Sequence, residues 1–255
     1  MNTAYPEFFD FAYVPALHFD STIKYLAQIA ESEEWSFDKV NVDYKILKNY
    51  IFHTYKRLNY EGKIGLSSDL SYACINTGLY SNSSNELYLF FEKNIIPGKQ
   101  PWFLKGVKEK SDRDLSKFST LPDRASYFTN EDEKIYNVDK ELRINISHIL
   151  DNPDNLNRIP ESIRDKPYLN NIFRGSIENT KIRIKQNYNI AVFQYYEDKL
   201  QYLLPLWLTG LDKPDIALAV SINPDFYVGH TCLTLPMAYN NARLIKKPME
   251  NWILS

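Results

Sequence analysis

Apolar positions recur at two different spacings along the chain, and the change from one to the other divides it. Residues 1–19 are aromatic and punctuated by proline, which predicts an irregular packed arm. Ile23, Leu26, Ala27 and Ala30 then follow at helical spacing behind Asp20-Ser21-Thr22, a group suited to capping a helix start. A second helix is expected from Asp43, with Leu47, Tyr50, Ile51, Thr54, Tyr55 and Leu58 on one face and Gly62 as its stop. From Ser71 the period shortens to two. Ser71 to Leu79 and Glu86 to Glu92 read as paired strands joined by a polar S-N-S-S-N turn. Asn76-Thr77-Gly78 marks a bulge, or a place where a ligand approaches the backbone. Trp102 to Val107 makes a third strand, and Ser111 to Asp114 caps a short helix that Leu121-Pro122 ends.

The second half repeats the alternation with one long helix inserted. Ala125 to Asn157 reads as a short strand, an acidic turn at Asn130 to Glu133, a strand, and a loop D-N-P-D-N-L-N-R at 151–158. Residues 151–168 are expected to be mobile, a candidate lid. Between 170 and 188, Phe173, Ile177, Thr180, Ile184 and Tyr188 form an apolar stripe. Arg174, Lys181 and Lys185 share another face, which suits either phosphates or plain solvation. Strands follow at Ile190 to Tyr196, Gln201 to Leu208, Ile216 to Ile222 and Phe226 to Leu235, with Pro205 marking a bend or edge and Gly229 a bulge. Pro236 ends the last ladder, and Met237 to Ile245 is expected to be helical, with Met237, Ala238 and Leu244 or Ile245 turned inward. Neighbouring strands joined by short turns imply antiparallel pairing. The fold class is α+β, with a helical part over about 1–65, a mixed antiparallel β core over about 70–255, and one long central helix packed on the sheet. We expect a single domain over 1–255.

Composition narrows the function classes. The 255 residues are 44% hydrophobic, enough for a full core, and 15% aromatic, with 19 tyrosines and 14 phenylalanines. Tyrosine carries apolar area with a polar tip, so some of these rings suit a cleft. The formal net charge of -2 argues against a polybasic binder whose affinity comes from counterion release. Cys74 and Cys232 form no CxxC pair and read as buried thiols in a reducing compartment. The N-terminal stretch lacks the pattern of a secretion signal and no stretch has the length of a membrane span, so a cytoplasmic location with no membrane partner is expected.

An ordered series of short motifs runs through the chain: INTGL at 75–79, Pro101-Trp102, the run from His148 to Arg158, Asn187 to Tyr196, LLPL at 203–206, DIALAV at 215–220, TCLTLPMAYNNARLI at 231–245, and Pro248 with Trp252. Together these resemble the bacterial domain-of-unknown-function family numbered 3825, across essentially the whole chain. In that family the domain tends to sit beside RNA-linked modules such as cold-shock, LOTUS-type winged-helix or nuclease-like domains. The resemblance therefore implies work on RNA or nucleotides, by analogy. The sequence departs from the pattern in Ile75 where phenylalanine is expected and in Pro236 where an acid is expected, and the domain is expected to act without such an appended module.

Candidate chemistry is metal-free and needs no cofactor. The four histidines, His18, His53, His148 and His230, form no zinc motif, and no Walker loop, GxGxxG or GxSxG occurs. Asp151 with Asp154 and Asp212 with Asp215 are spaced to hold Mg²⁺, but they adjoin prolines and equally form turns. The remaining polar set is His148, Arg158, Asn187, Gln194, Tyr195, Tyr196, Tyr239, Asn240, Asn241 and Arg243, with Arg174, Lys181 and Lys185 on the long helix. In one reading these bind single-stranded RNA or a nucleotide: the cations hold phosphate, Tyr239 or Tyr195 stacks on a base, and Asn240 or Gln194 reads its edge. In a second, His148 is the acid or base of a metal-independent phosphodiester cleavage, with Arg243 and Arg158 stabilising charge. In a third the set is structural, with the amides capping helices and satisfying backbone. The sequence leaves the ligand, the oligomeric state and any supply of residues by a partner open.

Overall fold

A computed structural model of the chain describes residues 5–37, 42–128, 135–197 and 199–254. It is an α+β protein in two compact units, residues 1–126 and 127–255. Each unit has its own five-stranded mixed sheet among the described residues. The alternation of strands along residues 70–255, read above as one β core, carries no mark of this division. The acidic turn expected at Asn130 to Glu133 lies outside the described residues.

In the first unit the N-terminal arm is more regular than its prolines suggest. Phe8–Phe11 form a helical turn (α1), Ala12–Tyr13 a two-residue strand (β1), and Ala16–Ile29 a helix (α2) that starts directly after Pro15. Proline suits the mouth of a helix because its fixed φ is helical and its missing N–H would be unpaired there anyway. Asp20 is therefore inside α2, paired with Lys48 at 2.8 Å, and is not the cap that the sequence suggested. The second helix (α3, Lys45–Tyr60) buries the predicted face, and Gly62 follows it at φ +68. Strands Gly65–Leu66 (β2), Tyr72–Tyr80 (β3), Glu86–Lys93 (β4) and Trp102–Glu109 (β5) complete a sheet of order β1-β5-β4-β3-β2, with β1 parallel to β5 and the other pairs antiparallel.

Asn76-Thr77-Gly78 is a bulge in the β3–β4 ladder, whose register shifts between Asn76 and Tyr80. Its polar atoms are spent on holding that shape. Asn76 Oδ1 accepts from Gly78 N at 2.9 Å, Thr77 Oγ1 donates to the Leu87 carbonyl at 2.6 Å, and Tyr50 Oη donates to the Thr77 carbonyl at 2.7 Å. Gly78 has φ +72, and a Cβ there would lie 2.8 Å from Tyr50 Oη. Both features require glycine, so this part of the motif series is architectural.

The second unit opens with strand β6 (Glu141–Ile144); the short strand expected from Ala125 is absent among the described residues before it. The expected loop at 151–158 is helical. Helix α4 spans Ile146–Asp151, α5 Pro153–Arg158 and α6 Glu161–Arg164. Asn152 and Pro153 look like loop formers, but here they are the cap and first residue of α5: Asn152 Oδ1 accepts from Asp154 N at 2.9 Å and Asn155 N at 3.3 Å. Nor is this stretch a lid lying free of the core. Asn155, 4% exposed, accepts from Thr231 Oγ1 at 2.6 Å and from Cys232 N at 3.2 Å.

The long helix α7 (Leu169–Gln186) lays Phe173, Ile177 and Ile184 into the core cluster that includes Phe193, Tyr202, Leu204, Leu218 and Val220. Tyr188 lies beyond its end, 58% exposed in a 3₁₀ turn at Tyr188–Ile190. Strands β7 (Val192–Tyr196), β8 (Lys199–Leu206), β9 (Ile216–Ile222) and β10 (Phe226–Thr234) form a sheet of order β6-β10-β9-β8-β7. Neighbours are antiparallel except for β6 and β10, which run parallel. Although β8 is internal, its pairing with β7 ends at Val192↔Leu203, so Pro205 has a strand neighbour only on the β9 side. Thr234 caps helix α8 (Leu235–Arg243), which Pro236 opens, and a last turn, α9, spans Asn251–Leu254. Within α8, Leu235, Ala238, Tyr239, Ala242 and Arg243 are buried, whereas Met237 points out, 37% exposed.

The first unit's bulge yields a stability test. Gly78→Ala should destabilise the protein by about 1–3 kcal/mol in urea unfolding, because a side chain is forced into a left-handed backbone beside Tyr50; an unchanged midpoint would refute the steric argument. The two thiols yield a reactivity test. Cys74 and Cys232 are free and fully buried, and burial pushes both thiols up to about 12. At pH 8 a disulfide dye should label neither in the native protein and both in denaturant, since the thiolate is the reactive form. Rapid labelling of either without denaturant would contradict that burial.

Candidate functional site

The most chemically loaded surface of the second unit is where β6 meets β10. Their parallel pairing runs from Phe226↔Glu141 to Gly229↔Ile144. Gly229 permits the close approach, since a Cβ there would come within 2.9 Å of Ile144 Cδ1. On its other side β10 slips register against β9, from Gly229↔Val220 to Thr231↔Ala219, which leaves His230 as the extra, bulged residue. Such insertions re-aim a side chain away from the regular alternation. Immediately after β6, Asn145 caps α4 by accepting from His148 N at 3.1 Å, which fixes His148 in the helix's first turn.

Bulge and cap together shape an open cleft of about 520 Å³. Its walls carry Arg143, Asn145, His148 and His230 over an apolar floor that includes Ile144, Ile149 and Val228. The Arg143 guanidinium lies 3.8 Å from the centroid of the Phe226 ring. It is also paired with Glu141 Oε2, from Nε at 2.9 Å and from its terminal nitrogen at 2.8 Å. Both partners of that pair are more than half exposed (54% and 62%), and such pairs contribute about 0–1 kcal/mol, so a phosphate can replace the carboxylate at little cost. One guanidinium and two imidazoles can hold an anion, and two imidazoles can divide acid and base roles.

A chain of hydrogen bonds leads away from His230 across the sheet. His230 Nε2 is 2.8 Å from Ser221 Oγ on β9, which accepts from Gln201 Nε2 on β8 at 3.1 Å. Gln201 Oε1 accepts from Gln194 Nε2 on β7 at 2.7 Å, and Gln194 Oε1 accepts from Asn241 Nδ2 on α8 at 2.9 Å. Asn240 Nδ2 in turn donates to Asn241 Oδ1 at 3.3 Å. Gln194 is only 2% exposed, so these bonds satisfy amide groups that burial would otherwise penalise.

The structure thus brings Gln194, Asn240 and Asn241 together, bonded to one another, and connects them to His230. The remaining sequence candidates are dispersed. His148 lines the cleft, but Arg243 does not: it is 3% exposed in the last turn of α8. Tyr239, 8% exposed on the same helix, presents no open face to a base. Arg158 donates to the Cys232 carbonyl at 2.6 Å and to Asn155 Oδ1 at 3.3 Å, and so braces α5 against β10. Tyr195 packs edge-on to Tyr127 with centroids 5.4 Å apart, and Tyr196 is exposed at the end of β7. Asn187 caps the 3₁₀ turn at 188–190 and borders a separate cleft that includes Trp207 and Trp252. On α7, Arg174 is exposed, Lys181 is paired with Glu178 at 2.8 Å and Lys185 with Asp139 at 3.8 Å, and none of the three lines the histidine cleft.

Arg143, Ser221, Gln201 and His230 are the residues that sequence reasoning passed over. The suspected bulge at Gly229 was the available signal, because the next residue in chain order is a histidine. Of the acidic pairs, Asp215 holds a turn by accepting from Leu208 N at 2.7 Å and Thr209 N at 3.0 Å, whereas Asp151 ends α4 and Asp154 lies in the first turn of α5. Among the described residues, no group of three or more His, Cys, Asp or Glu side chains is placed to hold a metal, and no helix is long and apolar enough to cross a membrane.

No curated protein and no solved structure matches the chain. A family model described as a domain of unknown function, DUF3825, matches residues 26–252, which takes in strands β2–β10 and every residue of the cleft. The chain belongs to the DUF3825 family.

Proposed function

We propose that the protein is an RNA- or nucleotide-binding module whose phosphate locus is the cleft between Arg143, His148 and His230. The observation that carries this reading is the convergence of one guanidinium and two imidazoles, from three different elements, on one open cleft. The net charge of -2 fits a localised site better than a diffuse basic surface. Arg143 offers planar N–H donors to phosphate oxygens, and the Phe226 ring beneath it limits the rotamers that the long side chain must lose on binding. Single-stranded RNA, whose phosphates and bases are both accessible, is the partner class that this arrangement and the family association favour together.

Anisotropy of a labelled single-stranded RNA oligomer at low salt provides the test. Arg143→Ala should weaken binding by about tenfold or more, the consequence of losing a charge-assisted hydrogen bond. Arg174→Ala, on α7, should leave affinity unchanged. No binding by the native protein, or equal losses in the two variants, would overturn the proposal.

A second reading, metal-independent phosphodiester cleavage, is favoured by one specific feature: two imidazoles share the cleft, as an acid–base pair requires. Arg143 takes the charge-stabilising place given above to Arg243. On this reading RNA is cut in the presence of EDTA, and His148→Ala lowers the rate by about 10²-fold or more. Substrate that stays intact through long incubation leaves the binding module alone.

A further inference from the structure

The amide chain behind His230 has a direction, and the direction has a chemical consequence. Every link from α8 to β9 runs the same way: Asn240 gives its N–H to Asn241, Asn241 to Gln194, Gln194 to Gln201, and Gln201 to the Ser221 hydroxyl oxygen. The hydroxyl oxygen thus receives a proton from the amide side. The other group bonded to it is His230 Nε2 at 2.8 Å, a contact in which either partner can be the donor; with one lone pair of the oxygen already engaged by Gln201, the hydroxyl proton is available to Nε2. A nitrogen that accepts a hydrogen bond carries no proton in neutral imidazole.

We infer that Ser221 and Gln201 are positioning residues that hold neutral His230 in the tautomer protonated at Nδ1, so that His230 serves the cleft as a hydrogen-bond donor. Nε2 is occupied by Ser221, which leaves Nδ1–H as the ring's group for a ligand. An N–H donor on an uncharged ring binds a phosphate oxygen without first taking up a proton. It also divides the two imidazoles: His230 cannot accept a proton at Nδ1 while neutral, so any base role falls to His148. Arg143 and His148 are the charged or titratable side chains that line the cleft with His230. The functional meaning rests on the phosphate-site reading above, whereas the tautomer is a property of the free protein.

The backing chain also makes an unusual prediction for one isosteric change. In Gln201→Glu, the carboxylate can still accept from Gln194, but its second oxygen has no proton to give. It accepts instead from the Ser221 hydroxyl, whose oxygen is then left to accept from an Nε2–H. The tautomer should invert although Ser221 itself is untouched.

Two-bond proton–nitrogen correlation spectra of the full chain with ¹⁵N-labelled histidine, recorded without ligand at a pH above the imidazole titrations, test this directly. His230→Gln identifies the His230 signals among the four histidines. The native protein should show Nδ1 protonated and Nε2 bare. Ser221→Ala should move the population toward Nε2–H, the form that an unconstrained side chain favours, and Gln201→Glu should do so more completely. An Nε2–H signal in the native protein overturns the inference, as does a native Nδ1–H tautomer that survives both substitutions. Should Gln201→Glu fail to fold, the Ser221→Ala spectrum alone decides. RNA that fails to bind while His230 is in the Nδ1–H form counts against the phosphate site only; bound RNA beside an Nε2–H tautomer counts against this inference only.

Discussion

Ile144 occupies the space where a side chain at position 229 would be, and the second unit's functional surface depends on that contact. Because Gly229 yields the volume, β6 can run beside β10 as a parallel edge and deliver Asn145 to the start of α4. The same residue begins the register slip that leaves His230 outside the regular ladder. One missing Cβ therefore positions both imidazoles of the cleft, His148 through the strand it admits and His230 through the bulge beside it. A methyl group there would strain the β6–β10 contact and both placements together.

The polar residues of this unit obey a strict accounting. A buried amide without a partner costs about 1–3 kcal/mol, so Gln194 at 2% exposure has to be bonded on both sides, and it is. Asn155 meets the same demand by bridging α5 to Thr231 and Cys232, and Arg158 by donating to the Cys232 carbonyl. Gln194 and Arg158 looked like ligand groups in the sequence because their chemistry suits a ligand. Burial redirects that chemistry inward. What remains for a ligand is the set whose polar atoms stay at the surface: Arg143, His148 and His230.

The residues of the chain disclose its elements better than its site. Strands β3, β4, β9 and β10 and helices α3 and α7 follow from spacing alone, because each buries one face or both and the period of apolar residues records it. The helices at 146–164 were obscured by Asn152 and Pro153, whose loop-forming chemistry is the same chemistry that starts a helix. Proline misled in the same way at position 15, where it opens α2. The site was harder to read for a different reason. Arg143 and His230 are 87 positions apart, and only the β6–β10 register, which a single sequence does not record, makes them neighbours. Arg243 and Tyr239 erred the other way: they sit in the most distinctive motif of the chain, and the helix turns both into the interior.

The sheet that carries the cleft ends in short margins. β6 has four residues and β7 five, and along β6 the side chains at 141 and 143 are charged. A brief, charged border is a poor template for another chain to extend by backbone pairing. Arg143 and Glu141, which flank the cleft, thus also discourage fibril-like stacking along that rim. Neutralising Glu141 to favour a tighter anion on Arg143 would remove one of the two charges from that rim and open the flank of the sheet to self-association.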